Sequence, residues 1–289
     1  MDFHTLSPLF SHAGAAGWGM CAFADLALST DQLEKANVLC PAPAGVFIAA
    51  FPYWAGADQP QGNLSYYARG EDYHLALSRR LGQIVAGLQA EFPGKTFVPG
   101  ADNSPLPERQ CARLAGLGIL GRHGLVIVPP YGSWVFLGTI LTDLPLSSAA
   151  VPAPDCPGCN ACIRACPSGA LTETGCDIDR CLSDLTQKKG MLTAEQEEQL
   201  QAHPLIWGCD CCQLACPYNR DAQSSSLPEL TGQTPEAPYL ASLSSEDLEG
   251  LTNRTFRAAF GNRAFAWRGP AVYGGIWHGR TRKKMTNCE

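Results

Sequence analysis

"CPGCNACIRACPSGAL" (156–171) sets four cysteines at spacings of three, three and four and closes the last with a proline. Cys156, Cys159, Cys162 and Cys166-Pro167 match the bacterial ferredoxin run C-x2-C-x2-C-x3-C-P, in which three thiolates hold one iron-sulfur cube and the fourth reaches a different cube. A second group, "CDCCQLACPYN" (209–219), repeats the ending, since Cys212-x3-Cys216-Pro217 parallels Cys162-x3-Cys166-Pro167. The repeat predicts two [4Fe-4S] clusters. By the cross-over rule Cys156, Cys159 and Cys162 share one cluster with Cys216, while Cys209 and Cys212 share the other with Cys166 and an earlier cysteine. For that ligand Cys181 is preferred to Cys176, and Cys211 reads as a bystander. Zinc sites favour separated cysteine pairs and disulfides an oxidising compartment, and neither fits this run.

Outward from the cysteines, the chain has 289 residues, 45% of them hydrophobic and 17% charged, enough to bury a substantial core. The first residues, "MDFHTLSPLF", lack the basic and apolar regions of a secretory signal, so a cytoplasmic location is expected. Residues 124–142 carry no charge, but Pro129, Pro130 and Gly132 interrupt them, which predicts two short buried strands and no membrane span. The overall class is α+β: an α/β domain over 1–150, a ferredoxin-like double-cluster domain over 151–225 and a wrapping segment over 226–289. Within the first domain, 45–51, 124–130 and 133–141 read as strands. Residues 72–92 read as a helix, with Leu75, Leu77, Leu81, Ile84, Val85 and Leu88 toward the core. Residues 147–155 read as a linker. Thr193 and Gln196 form a capping-box pattern opening a helix over 192–203, a last helix is expected near 245–260, and Arg280, Arg282, Lys283 and Lys284 form a basic tail.

A two-cluster carrier needs only the cysteine segment, so the preceding 150 residues imply a site of their own. "GLGILG" (116–121) fits G-x-G-x-x-G, yet it follows the helical pattern "ERQCARLA" where a dinucleotide fingerprint would follow a strand. The run "DNSPLPERQCARLAGLGILGRHGLVIVPPYGSWVFLGTILTDLPL" (102–146), the "DYH" at 72–74, the ferredoxin run and "GCDCCQLACPYN" (208–219), in that order, resemble the epoxyqueuosine reductase family. Members are iron-sulfur and cobalamin enzymes that reduce the epoxide of a modified tRNA nucleoside, with a fold related to the core of reductive dehalogenases.

The resemblance covers roughly residues 60–260. It implies that the N-terminal domain holds cobalamin, reduced by a nearby cluster, and that Asp102 supplies the proton when a C–O bond breaks. An apolar pocket that raises the carboxyl pKa would suit that role; read from the residues alone, Asp102, Asn103 and Ser104 make a turn or cap ahead of the following helix. Tyr73 and His74 are implied to face the site, with Gly116, Gly118 and Gly121 a close-approach surface for the corrin and Gly132, Ser133 and Trp134 a continuing wall. The implied partners are an external electron donor such as a ferredoxin or flavodoxin, and tRNA. Arg122 and His123 depart from the lysine and asparagine usual in the family, and the net charge of −6 is unfavourable for holding phosphates. Two alternatives therefore stand: a reductase of a small organic substrate, including a dehalogenase-like one, and an electron-transfer or corrinoid-reactivating protein without its own substrate.

Overall fold

The computed structural model describes residues 3–188 and 190–270. Its first part contains α1 (Phe3–His12), β1 (Gly17–Ala22), α2 (Thr30–Leu39), β2 (Gly45–Pro52), α3 (Tyr73–Glu91), β3 (Phe97–Gly100), α4 (Glu108–Leu114), β4 (Ile119–Leu120), β5 (Val126–Ile127) and β6 (Val135–Thr142). Four strands form one sheet in the order β1-β2-β6-β3, and every pair is antiparallel. The α+β class holds: strands and helices mix through residues 1–150, and the described strands of this sheet pair antiparallel. The reason is connectivity: β6 enters from far along the chain and inserts between β2 and β3.

β2 is buried along its whole length because both faces of the sheet are covered. Phe47, Ala49 and Phe51 face a core built with Leu6 and Phe10 of α1 and with Leu77, Leu81, Ile84 and Leu88 of α3. Val46, Ile48 and Ala50 face the opposite core, which takes Ala36 of α2 and Cys111 and Ala112 of α4. The alternation follows from the two-residue period of a strand. The helix expected over 72–92 forms as α3, started by the Asp72 side chain accepting from the His74 amide at 3.0 Å. Its buried stripe begins at Ala76 and Leu77, and Leu75 stays exposed. Of the strand expected over 124–130 only β5 pairs, with β4.

The second part contains α5 (Ala161–Arg164), α6 (Leu182–Leu185), α7 (Ala194–Ala202), α8 (Cys211–Leu214) and α9 (Asn253–Phe260). α7 opens on the expected capping box of Thr193 and Gln196. α9 is shorter than the expected 245–260, because its own capping box starts at Thr252. The 147–155 segment is laid down by main-chain hydrogen bonds from Ala149 to Leu114, Ala153 to Arg113 and Leu120 to Pro154, so it is a packed strap where a linker was expected. The basic tail at Arg280–Lys284 lies outside the described residues. No helix of the described residues is long and apolar enough to cross a membrane.

Candidate active site and cluster centres

Two cavities sort the cysteines. A cavity of about 220 Å3 is lined by Cys156, Cys159, Cys162 and Cys216, with Arg122, Asn160 and Tyr218 at its edge. A larger one of about 1080 Å3 has Cys166, Cys181, Cys209 and Cys212 in its wall, together with Cys176 and Cys211. The division is the one expected from the cross-over rule. Neighbouring thiols reinforce it: the Cys216 thiol is raised by burial and by Cys162, Cys159 and Cys156, and burial pushes Cys209 up to about 12, with Asp210, Cys181 and Cys166 adding to it. Cys181 is among the groups that raise Cys209 and Cys212, and Cys176 lies beside Cys181 and Cys166 in the same wall.

These donor sets fit iron-sulfur clusters. Burial raises the thiols of Cys162 and Cys216 in the first set and of Cys209 and Cys212 in the second, so these resist ionisation until a cationic centre neutralises them. Among the described residues no three His, Cys, Asp or Glu side chains converge at single-ion distance; the thiols stand instead around cavities. The Arg122 amide donates to Cys156 Sγ at 3.3 Å, a contact of the kind that tunes cluster potentials.

The larger cavity continues past the cysteines to Tyr53, Ser65, Tyr73, Asp102, Ser133 and Phe136. Its volume is at the upper end of small-molecule sites. Tyr73 Oη donates to Asp102 Oδ2 at 2.8 Å, and His74 Nε2 lies 3.3 Å from the same oxygen. His74 Nδ1 is 2.8 Å from Asp72 Oδ1, so the imidazole sits between two carboxylates. Both hydrogen bonds, Asp102 first, raise the His74 pKa to about 9, against burial. Stacking of Tyr73 on Phe136, with ring centroids 4.5 Å apart, fixes the phenol.

Asp102 departs from expectation. Its carboxyl is held below the usual carboxylate range, chiefly by the hydrogen bond to His74 and also by that to Tyr73, with burial opposing. A raised carboxyl next to Asp102 is Glu108, pushed by burial up to about 7, whose Oε1 accepts from the Asp102 amide at 2.8 Å. Sequence reasoning missed Glu108; the available signal was an acidic residue directly after Pro107 at the start of a helix.

The corrin-facing expectations divide. Tyr73 and Ser133 line the larger cavity, and His74 reaches it through Asp102. Gly116, Gly118, Gly121, Gly132 and Trp134 are not among its lining residues. Their close approaches are to the chain itself: a Cβ on Gly118 would stand 2.4 Å from the Ile127 carbonyl oxygen, and one on Gly132 would stand 2.1 Å from Asn219 Oδ1. Trp134 is core, stacked on Trp54 at 4.7 Å. Ser133 also serves a joint: its amide donates to Asn219 Oδ1 at 2.7 Å, and its hydroxyl and carbonyl receive Asn219 Nδ2 and Gln213 Nε2. His123, at the family departure, lines both cavities. Its Nδ1 accepts from the Leu125 amide, and its buried Nε2 finds no partner among the described residues, an orphaned polar group consistent with a site that receives a polar ligand.

With this geometry established, residues 155–219 match the model of the 4Fe-4S double cluster binding domain, and residues 34–102 match that described as Epoxyqueuosine reductase QueG, DUF1730. An epoxyqueuosine reductase of Lactococcus garvieae is 35% identical over 210 residues, 72% of this chain and 58% of the relative. One of Escherichia coli is 38% identical over 184 residues, 63% of this chain and 48% of the relative. The chain is a relative of the epoxyqueuosine reductases. It spans about half the length of the curated relatives it matches. The solved epoxyqueuosine reductase of Streptococcus thermophilus superposes with a TM-score of 0.78 at 26% identity, covering 96% of this chain and 80% of that one. Another, solved with an epoxyqueuosine-modified tRNA-Tyr stem loop, gives 0.79 at 26% identity over 94% and 79% of the two chains. A third, from Bacillus subtilis, gives 0.78 at 26% identity over 95% and 80%, and has its catalytic aspartate loop swung out of the active site.

Proposed function

We propose that the protein is a corrinoid-dependent iron-sulfur reductase of an epoxide, with epoxyqueuosine in tRNA as its substrate. The observation that carries this reading is the continuity of one cavity, which has four cluster cysteines in its wall and the Asp102, Tyr73 and His74 network at its other side. A corrinoid bound there would supply strongly reducing cobalt. Tyr53, Ser65, Ser133 and Phe136 would hold it beside the second cluster, and the buried His123 Nε2–H offers a donor to whatever polar group faces it. Electrons would enter from an external protein donor, a ferredoxin or flavodoxin, through the cluster of Cys156, Cys159, Cys162 and Cys216, and the compartment would be the cytoplasm.

Opening a C–O bond leaves an alkoxide that needs a proton. At neutral pH the network holds that proton on His74 and Tyr73, each directed at Asp102 Oδ2, with Asp102 ionised. Asp102 is 60% exposed, so filling the cavity would remove water from it and favour its neutral form. Asp102 would then pass the proton to the alkoxide, and His74, backed by Asp72, would reload it.

The acidic balance of the sequence favours a second reading, a small epoxide or related substrate handled by the same groups. The deciding experiment is anaerobic reconstitution with iron, sulfide and cobalamin, followed by reduction in the presence of tRNA bearing epoxyqueuosine. Conversion to queuosine is expected. Absence of product with clusters and cobalamin retained would eliminate the tRNA reading and leave the small substrate.

A further inference from the structure

Asp102 lies on the turn between β3 and α4 with φ 58°, in the left-handed region that side-chain-bearing residues seldom adopt. Such a conformation persists where surrounding contacts over-determine it. Two contacts hold the Asp102 carboxylate, from Tyr73 and His74 of α3, and of these only Tyr73 lines the cavity. A third contact acts on the main chain, where the Asp102 amide donates to Glu108 Oε1 at 2.8 Å. Glu108 is the first residue of α4, a helix fixed by burial of Cys111 and Ala112 against the sheet, and Pro107 before it provides no side-chain cap. The Glu108 carboxyl thus reaches back six positions from a rigid element to the main chain of Asp102.

We propose that Glu108 is a positioning residue that clamps the Asp102 turn in its cavity-facing conformation by accepting the Asp102 amide. The clamp leaves the Asp102 carboxylate free to face a ligand, which the side-chain contacts cannot do. Its partial desolvation fits the role, since a carboxylate drawn out of water has more to gain from that amide. A swung-out aspartate loop in the Bacillus subtilis relative shows that loops of this kind have an alternative position against which a clamp can act. Catalysis by Asp102 rests on the preceding reading; the clamp itself does not.

The test compares Glu108→Gln, Glu108→Asp and Glu108→Ala in cluster-loaded protein, with iron content as the measure of intact folding. Hydrogen exchange at residues 101–107 should accelerate about tenfold or more in the Ala and Asp variants, which lack or cannot extend the acceptor, and stay near native in Gln, whose amide oxygen takes the same hydrogen bond. Turnover should follow the same order, with kcat falling about 10- to 100-fold in Ala and Asp at little change in KM. Combined with Asp102→Asn, Glu108→Ala should add almost no further loss. Equal exchange in all variants, or loss in Gln as large as in Ala, would overturn the clamp. If native protein shows no turnover of epoxyqueuosine tRNA, the functional reading fails while the exchange ranking still decides the clamp.

Discussion

The two cysteine cavities are built from one repeated motif and differ in what they open onto. The smaller gathers its four cysteines with Arg122, His123 and Ile127, and has Cys159 exposed and Tyr218 at its edge. The larger continues into the N-terminal part of the chain as far as Asp102. Identical donor chemistry thus opens once onto an exposed cysteine and once onto a large cavity, and under the proposed function the first site would receive electrons and the second deliver them.

The sharpest break of that comparison is to remove one cluster at a time. Cys212→Ser should lower iron from about eight to about four per chain and reduce turnover to background, whatever reductant is used. Cys159→Ser should lose a similar amount of iron yet retain a measurable part of the activity supported by a small chemical reductant. Iron analysis with electron paramagnetic resonance checks both, and equal activity loss with the small reductant would show that the two sites are not functionally distinct. Next in size, Asp102→Asn should keep all iron and lose about a hundredfold or more in kcat; activity near native would reduce Asp102 to a turn residue.

The joint between the two regions gives a smaller effect. Asn219 is buried and bonds both the Ser133 main chain and hydroxyl and the Gln213 carbonyl. Asn219→Ala should cost about 1–3 kcal/mol of stability through the groups left unpaired, read as a lowered Tm. The same change should loosen hydrogen-exchange protection on both sides of the joint; protection lost on one side alone would mean that the two regions unfold independently. The smallest effect is electrostatic. His74 is raised from 6.5 to about 9, so its contribution to stability is fully present below pH 6.5 and fades as pH rises toward 9. Asp102 is lowered from 3.8, so its contribution is present above that value and is lost as pH falls through its lower native pKa. In an NMR titration, Asp102→Asn should move the His74 midpoint down toward its ordinary value, and an unchanged midpoint would mean that Asp72 alone sets it.

Local features were the legible ones. α3 followed from the spacing of Leu77, Leu81, Ile84 and Leu88, α7 from its capping box, and the division of the cysteines from a motif whose turn geometry is encoded in a few residues. The insertion of β6 between β2 and β3 was not legible, since antiparallel pairing across some 90 residues leaves no local signature. The glycines at 116, 118 and 121 stand against other parts of the chain, and close backbone approach to a ligand or to the chain itself demands the same missing side chain. The charge state of Asp102 was misjudged for a related reason: Tyr73 and His74, 29 and 28 positions earlier, decide it, and only the fold brings them together.

The contacts made late in the chain set an order of biosynthesis. Arg263 donates to the carbonyls of Arg69 and Gly70, and the Asp72 amide donates to the Asn262 carbonyl, so the turn that starts α3 and carries Tyr73 and His74 is fastened by residues made almost 200 positions later. Cys216 likewise completes a donor set begun at Cys156. A nascent chain emerging from the ribosome could assemble its sheet early, but the turn that carries Tyr73 and His74 would not be fastened until this late segment had cleared the exit tunnel. The turn that starts α3 is thus a product of the whole described chain and not of the sheet alone.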